Sequence, residues 1–92
     1  MEIQGKIIQV LPERTGTSAN GAWRMASYVL ETIEQYPRHM VFDVHDGREG
    51  RIARLGISAG KTYKLWFNID AREYEGRWYN SVFAWDAREV NE

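Results

Sequence analysis

From Tyr63 to Arg72 apolar and polar positions alternate without a break. Tyr63, Leu65, Phe67, Ile69 and Ala71 hold one phase, and Lys64, Trp66, Asn68, Asp70 and Arg72 the other. A period of two is the mark of a strand with one face buried. Met40, Phe42 and Val44 repeat the pattern against His39, Val41, Asp43 and His45, in a strand predicted over 38–46. A further strand over 23–32 places Tyr28 and Leu30 inward and Val29 and Glu31 outward. Near the start, Ile3, Gly5 and Ile7 share a phase, then Ile8 and Val10 take the other; a shift of one residue predicts a β-bulge. Gly5 suits a strongly bent position, and Pro12 suits a sheet edge. The stretch TGTSANG (15–21) reads as a polar loop. The turn YEGR joins a fourth strand over 61–72 to a fifth over 78–90. The one helical candidate is REGRIARLGIS (48–58), where Ile52 and Leu55 are three apart, Gly50 weakens the helix and Gly56 is placed to cap it.

Three strands, a short helix and two strands predict an all-β protein: a five-stranded OB-fold Greek-key barrel with a short helix between strands 3 and 4. An SH3-like barrel is the main competitor, and the placement of the helix favours the OB-fold. Closure also removes sheet edges, a liability in so small a β protein. With 92 residues, no repeat and no linker, the chain is expected to be one domain, 1–92.

Composition narrows the function classes. There is no Cys, so no disulfide framework and no thiolate chemistry. The opening MEIQGKIIQV lacks the basic start and apolar run of a signal peptide. No apolar run approaches the length of a membrane helix. A cytoplasmic location without membrane contact is the expectation. The net charge of −1 gives none of the basic excess usual in polyanion binders. Any nucleic-acid role therefore rests on local clustering of the twelve Lys and Arg.

Aromatic residues make up 13% of the chain, with four Trp, and DAREYEGRWYN, Asp70–Asn80, gathers Tyr74, Trp78 and Tyr79 beside Arg72 and Arg77. In an OB-fold, ligands lie across strands 2 and 3, between the 1–2 and 4–5 loops. That geometry would bring Arg14, Trp23 and Arg24 opposite Arg72, Tyr74, Arg77 and Trp78, with Arg38 beginning the floor. Arg24, Arg38, Arg72 and Arg77 suit phosphates, and Trp23, Tyr74 and Trp78 suit stacking on bases. The competing reading makes Tyr74 and Trp78 a cross-strand pair and ties Arg72 and Arg77 to Glu73 and Glu75. The floor itself, with Met25, Ser27, Val29, Glu31, Val41 and Asp43 outward, is aliphatic and acidic, and suits a protein partner or a second copy of the chain. Trp66, outward in mid-strand beside Lys64, predicts a self-association interface, unless the N-terminus or the first loop covers it.

His39, Asp43 and His45 share a phase, but three ligands in a row on one strand diverge too far to hold one ion. No nucleophile is placed against a base and no pair of carboxylates is evident. The expectation is a non-enzyme without cofactor or metal.

The stretches MEIQGKIIQVLPERTGTSANG, ETIEQYPR and above all FNIDAREYEGRWYN resemble a family of short bacterial OB-fold proteins of unassigned function, similar to single-stranded-DNA-binding proteins. The resemblance runs from Met1 to about Trp85. It implies an OB barrel and a nucleic-acid-binding class. Members usually carry a polar tail after the barrel, where this sequence ends in AREVNE, and a basic or polar residue at the position of Phe83. Together these readings predict weak, sequence-tolerant binding of single-stranded nucleic acid, DNA ahead of RNA, by a homo-oligomer. The alternative is an OB-fold interaction module that binds itself or another protein.

Overall fold

The computed structural model describes residues 1–19, 21–47 and 49–90. Six strands and one helix follow in the order β1 (Glu2–Val10), β2 (Arg14–Ser18), β3 (Gly21–Thr32), β4 (His39–His45), α1 (Arg51–Leu55), β5 (Thr62–Tyr74) and β6 (Arg77–Glu89). They form one sheet in the order β1-β5-β6-β4-β3-β2, and β1 returns to pair with β3. No helix among the described residues is long and apolar enough to cross a membrane.

The predicted curl of the first strand is where the alternation placed it. Gly5 stands opposite Thr32 of β3 and Tyr63 of β5, so one residue serves both halves of the barrel. A Cβ at Gly5 would sit 2.5 Å from Leu30 Cδ2 and 2.6 Å from the Glu31 carbonyl oxygen, so only glycine fits. The register against β3 then shifts between Ile7 and Gln9, which makes Ile8 the bulged residue. Ile7 consequently points into the core; Ile8 and Val10, expected to carry the apolar face after the shift, are exposed instead, because Ile8 is the bulged residue and the strand runs out past the core beyond it.

The structure has one strand more than the alternation predicts. Most of TGTSANG is strand: β2 pairs with β3 from Arg14↔Met25 to Ser18↔Gly21. This ribbon has no core face, so it carries no apolar alternation. Thr15 and Thr17 favour extended backbone, and the Trp23 indole lies directly against Gly16, in space a side chain would fill.

Ile7, Leu30, Phe42, Val44 and Leu65 fill the centre of the barrel. Tyr28 stacks on Phe42 with ring centroids 5.3 Å apart. The short helix closes one end with Ile52. Asp46 starts it, its carbonyl accepting from the Arg51 N–H at 2.8 Å and its carboxylate from the Ile52 N–H at 3.1 Å. Gly56, at φ 56°, ends it by donating its N–H to the Ile52 carbonyl, so the predicted cap is present.

Two features of the β5–β6 ribbon bear on function. It outruns the barrel, so Ile69 keeps the inward phase yet is 51% exposed. It also carries a bulge: Trp66 pairs with Asp86 and Phe67 with Ala84, leaving Trp85 as the extra residue. Ala84 and Ala87 both pack toward the core. Two consecutive residues, Trp85 and Asp86, therefore stand outside. Arg54 of α1 donates to the Trp85 carbonyl at 3.4 Å.

Between β4 and β6 the sheet is joined by a single parallel pair, Asp43 with Phe83.

Candidate nucleic-acid interface

The turn at Glu75–Gly76, with φ of 51° and 80°, fixes how the ribbon folds on itself. Tyr74 faces Arg77, Glu73 faces Trp78 and Arg72 faces Tyr79. Directly opposed residues share a face. Arg72, Tyr74, Arg77 and Tyr79 thus gather on the outer face, continuous with the phase of Trp66. Trp78 lies on the other face with Glu73, Ala71 and Ile69. Tyr74 and Trp78 are not a cross-strand pair, because the register differs by one residue from the one that would join them. The four candidates at this tip divide three to one, and Tyr79, absent from the predicted set, joins the three. Its signal was its phase, two residues after Arg77.

The candidate cations differ in what already holds them. Arg24 makes a bidentate pair with Glu13, at 2.9 and 2.8 Å. Arg38 does the same with Glu34, at 3.3 and 3.1 Å. Hydrogen bonds from Arg24 and Arg38 hold the Glu13 and Glu34 carboxyls below the usual carboxylate range. Arg72 and Arg77 have no side-chain partner among the described residues; the expected ties to Glu73 and Glu75 are not formed.

Across the barrel, the outer face of β3 and β4 carries the rest of the predicted groove. Trp23 is half-exposed over Gly16. It lines a cleft between the β2–β3 ribbon and the β4–α1 connection, together with Arg24, His45 and Asp46. His45 lies against Phe83, ring centroids 4.8 Å apart, and so links this cleft to the β5–β6 ribbon. The floor differs from expectation at Ser27, which is buried. Arg14 reaches over it from β2, donating to Ser27 Oγ at 3.1 Å and to Asp43 Oδ1 at 3.3 Å. This neutralises one of the two floor acids, and His39 lies 3.1 Å from the other, Glu31. Val41 remains 54% exposed beside its partner Val29. His39, Asp43 and His45 thus have three separate partners.

Trp66 is half-buried rather than free-standing. The Lys64 ammonium lies 5.5 Å from its ring centroid and Trp85 6.5 Å from it. The N-terminus runs beside it, with the Met1 ammonium donating to the Phe67 carbonyl at 3.2 Å.

A curled sheet closed by a first strand that pairs twice, a helix after the fourth strand in chain order, and two ribbons framing an outer face define an all-β protein of the OB-fold. The chain belongs to the family described as a domain of unknown function, DUF3127, whose model matches residues 2–88. No curated protein matches it. Among solved structures it is similar to the dimeric N-terminal domain of the PriB protein from Thermoanaerobacter tencongensis, with a TM-score of 0.70 at 16% identity, covering 100% of this chain and 96% of that one. It is equally similar to the mitochondrial single-stranded DNA-binding protein Rim1 from S. cerevisiae, with a TM-score of 0.70 at 18% identity over 98% of this chain and 92% of that one. A small single-stranded DNA-binding protein from Streptomyces coelicolor follows, with a TM-score of 0.51 at 10% identity over 98% and 92%. At these identities the likeness is one of fold.

Proposed function

We propose that this protein binds single-stranded nucleic acid, DNA in the first place, weakly and with little sequence preference, and that it does no chemistry. The observation that carries the reading is the outer face of the ribbon tip, where the unpartnered Arg72 and Arg77 sit among Tyr74 and Tyr79. Unpaired guanidinium groups are ready to meet phosphates, and adjacent rings to stack on bases. Trp78, 69% exposed, meets a strand that rounds the tip. Trp23 receives bases at the far end of the groove. Arg24 and Arg38 are held by Glu13 and Glu34 and meet phosphate only where those pairs are broken. The neighbours named for single-stranded DNA binding support this class. Assembly of several copies would turn weak sites into useful affinity, and the dimeric neighbour supports such assembly.

Titration with oligo-dT, followed by tryptophan fluorescence at low and moderate salt, tests the reading. Saturable quenching that weakens steeply with salt is expected. Unchanged fluorescence of the folded protein at low salt would leave the second reading, an assembly module. That reading is favoured by the exposed Val41 beside Val29 on the β3–β4 face.

The ion pairs give a further expected result. Glu13→Gln frees Arg24, so oligo-dT affinity rises and its logarithmic salt slope steepens by about 0.7, the value of one added phosphate contact. Low pH acts in the same direction. The Glu13–Arg24 pair persists above the carboxylate's lowered pKa and is lost as pH falls through it. An unchanged slope in Glu13→Gln would place Arg24 outside the site.

A further inference from the structure

The cations without partners are not scattered. Among the described residues, the Lys and Arg side chains outside every ion pair are Lys6, Arg72, Arg77 and Arg88. All three arginines are on β5–β6, and register puts all three on its outer face: Arg77 opposite Tyr74, Arg72 opposite Tyr79, Arg88 opposite Lys64. The same face carries the rings of Tyr74, Tyr79, Phe83, Trp85 and Trp66. Its acids are few, Asp70 and Asp86, and Arg54 engages Asp86 at 3.8 Å.

The bulge at Trp85 is part of this arrangement. It sets Trp85 outside, 6.5 Å from Trp66, with the rings tilted at 45°. Lys64 flanks Trp66 and Arg88 flanks the pair from the next rung. The two ends of the ribbon thus repeat one motif, rings beside unpaired or loosely paired cations. They are joined through Asn68 and Phe83 along a ladder of 13-residue strands, about 40 Å long at the usual rise.

Resting on the nucleic-acid reading above, we propose that the strand's path follows the outer face of the β5–β6 ribbon over its whole length. It runs from the tip at Arg77 to a second stacking station at Trp66–Trp85, with Arg88 as its phosphate contact. This assigns Trp66 and Lys64 to nucleic acid rather than to contact between copies. Asp70 is the one acid of this face outside every ion pair among the described residues, so three free arginines strung along one line leave the face positive, which a docking face for protein would not need. A polyanion needs that pattern.

The test compares an oligo-dT of about five nucleotides with one of about fifteen, near the ends of the range of site sizes for one OB-fold. The short probe is satisfied at one station, and the long one spans both. In Trp85→Ala the long probe is expected to bind at least about fivefold more weakly, as loss of one stacking partner implies, with the short probe unchanged. In Arg88→Ala the salt slope for the long probe is expected to fall by about 0.7, one phosphate contact. Both substitutions are on an exposed face, and the unchanged short-probe affinity verifies the fold. Wild-type affinity for the long probe in both variants, while the short probe still binds, overturns the extended path and leaves the tip site standing. Failure of the wild-type protein to bind either probe overturns the tip site as well. Dissociation of an oligomer by Trp85→Ala in sedimentation, without change in long-probe affinity, overturns the path in favour of an assembly contact.

Discussion

Replacing both Arg72 and Arg77 with alanine is expected to weaken oligo-dT binding by about 30-fold at low salt and to leave the thermal midpoint unchanged. Each guanidinium is free of partners among the described residues, so its removal breaks no contact seen there. A loss of about 1 kcal/mol per exposed charged contact, two contacts in all, gives that factor. The logarithmic salt slope should also fall by about 1.4, two contacts at about 0.7 each for a single strand. Affinity and slope are read from one fluorescence titration at several salt concentrations. The slope is the sharper arm, because a substitution that merely loosened the hairpin would lower affinity without removing two counterions. If the double variant keeps the wild-type slope, these arginines do not meet phosphate and the tip is not the site.

The second large effect concerns the barrel. Gly5→Ala is expected to cost about 3 kcal/mol of stability, a loss of about 15 °C in the midpoint for a domain of this size. The added methyl meets the Leu30 side chain and, less forgivingly, the Glu31 carbonyl oxygen. Leu30 can shift rotamer; the carbonyl belongs to the β1–β3 ladder and moves only with the strand. Gly5 also pairs to both sides, so relief toward β3 strains the contact with β5. A midpoint within a few degrees of wild type, measured by circular dichroism, would show that β1 tolerates displacement there.

The sequence was most legible where one face of a strand is buried. Tyr63, Leu65 and Phe67, and again Phe42 and Val44, announced their strands because a period of two has no other common cause. The bulge at Ile8 was legible for the same reason, since a break in phase is visible wherever phase is strict. β2 was not, because a ribbon without a core face carries no alternation. Its support is a contact between Trp23 and Gly16 across the ribbon, which residue types alone do not announce.

At the candidate site, composition singles out the β5–β6 hairpin and register decides its faces. A slip of one residue sends every side chain to the opposite side. The placement of Tyr74 beside Arg77, with Trp78 behind, therefore hinged on the turn geometry at Glu75–Gly76. The state of the cations was equally hidden. Arg38 is four residues from Glu34 and Arg24 eleven from Glu13, while Glu73 and Glu75 flank Arg72 and Arg77 even more closely and leave them free.

The junction of β4 with β6 gives the barrel a weak seam. One parallel pair holds it, Asp43 with Phe83, reinforced by the ring of His45 against Phe83. Every other joint is a ladder of several rungs. Breathing of the folded protein should begin at this joint, and amide exchange should be fastest along the facing edges of β4 and β6. A ligand that also reached from the β5–β6 face at Phe83 to the Trp23 cleft would cross the same line. Such a ligand would act as a clasp: it would slow exchange at the seam more than anywhere else in the molecule, including positions it touches directly.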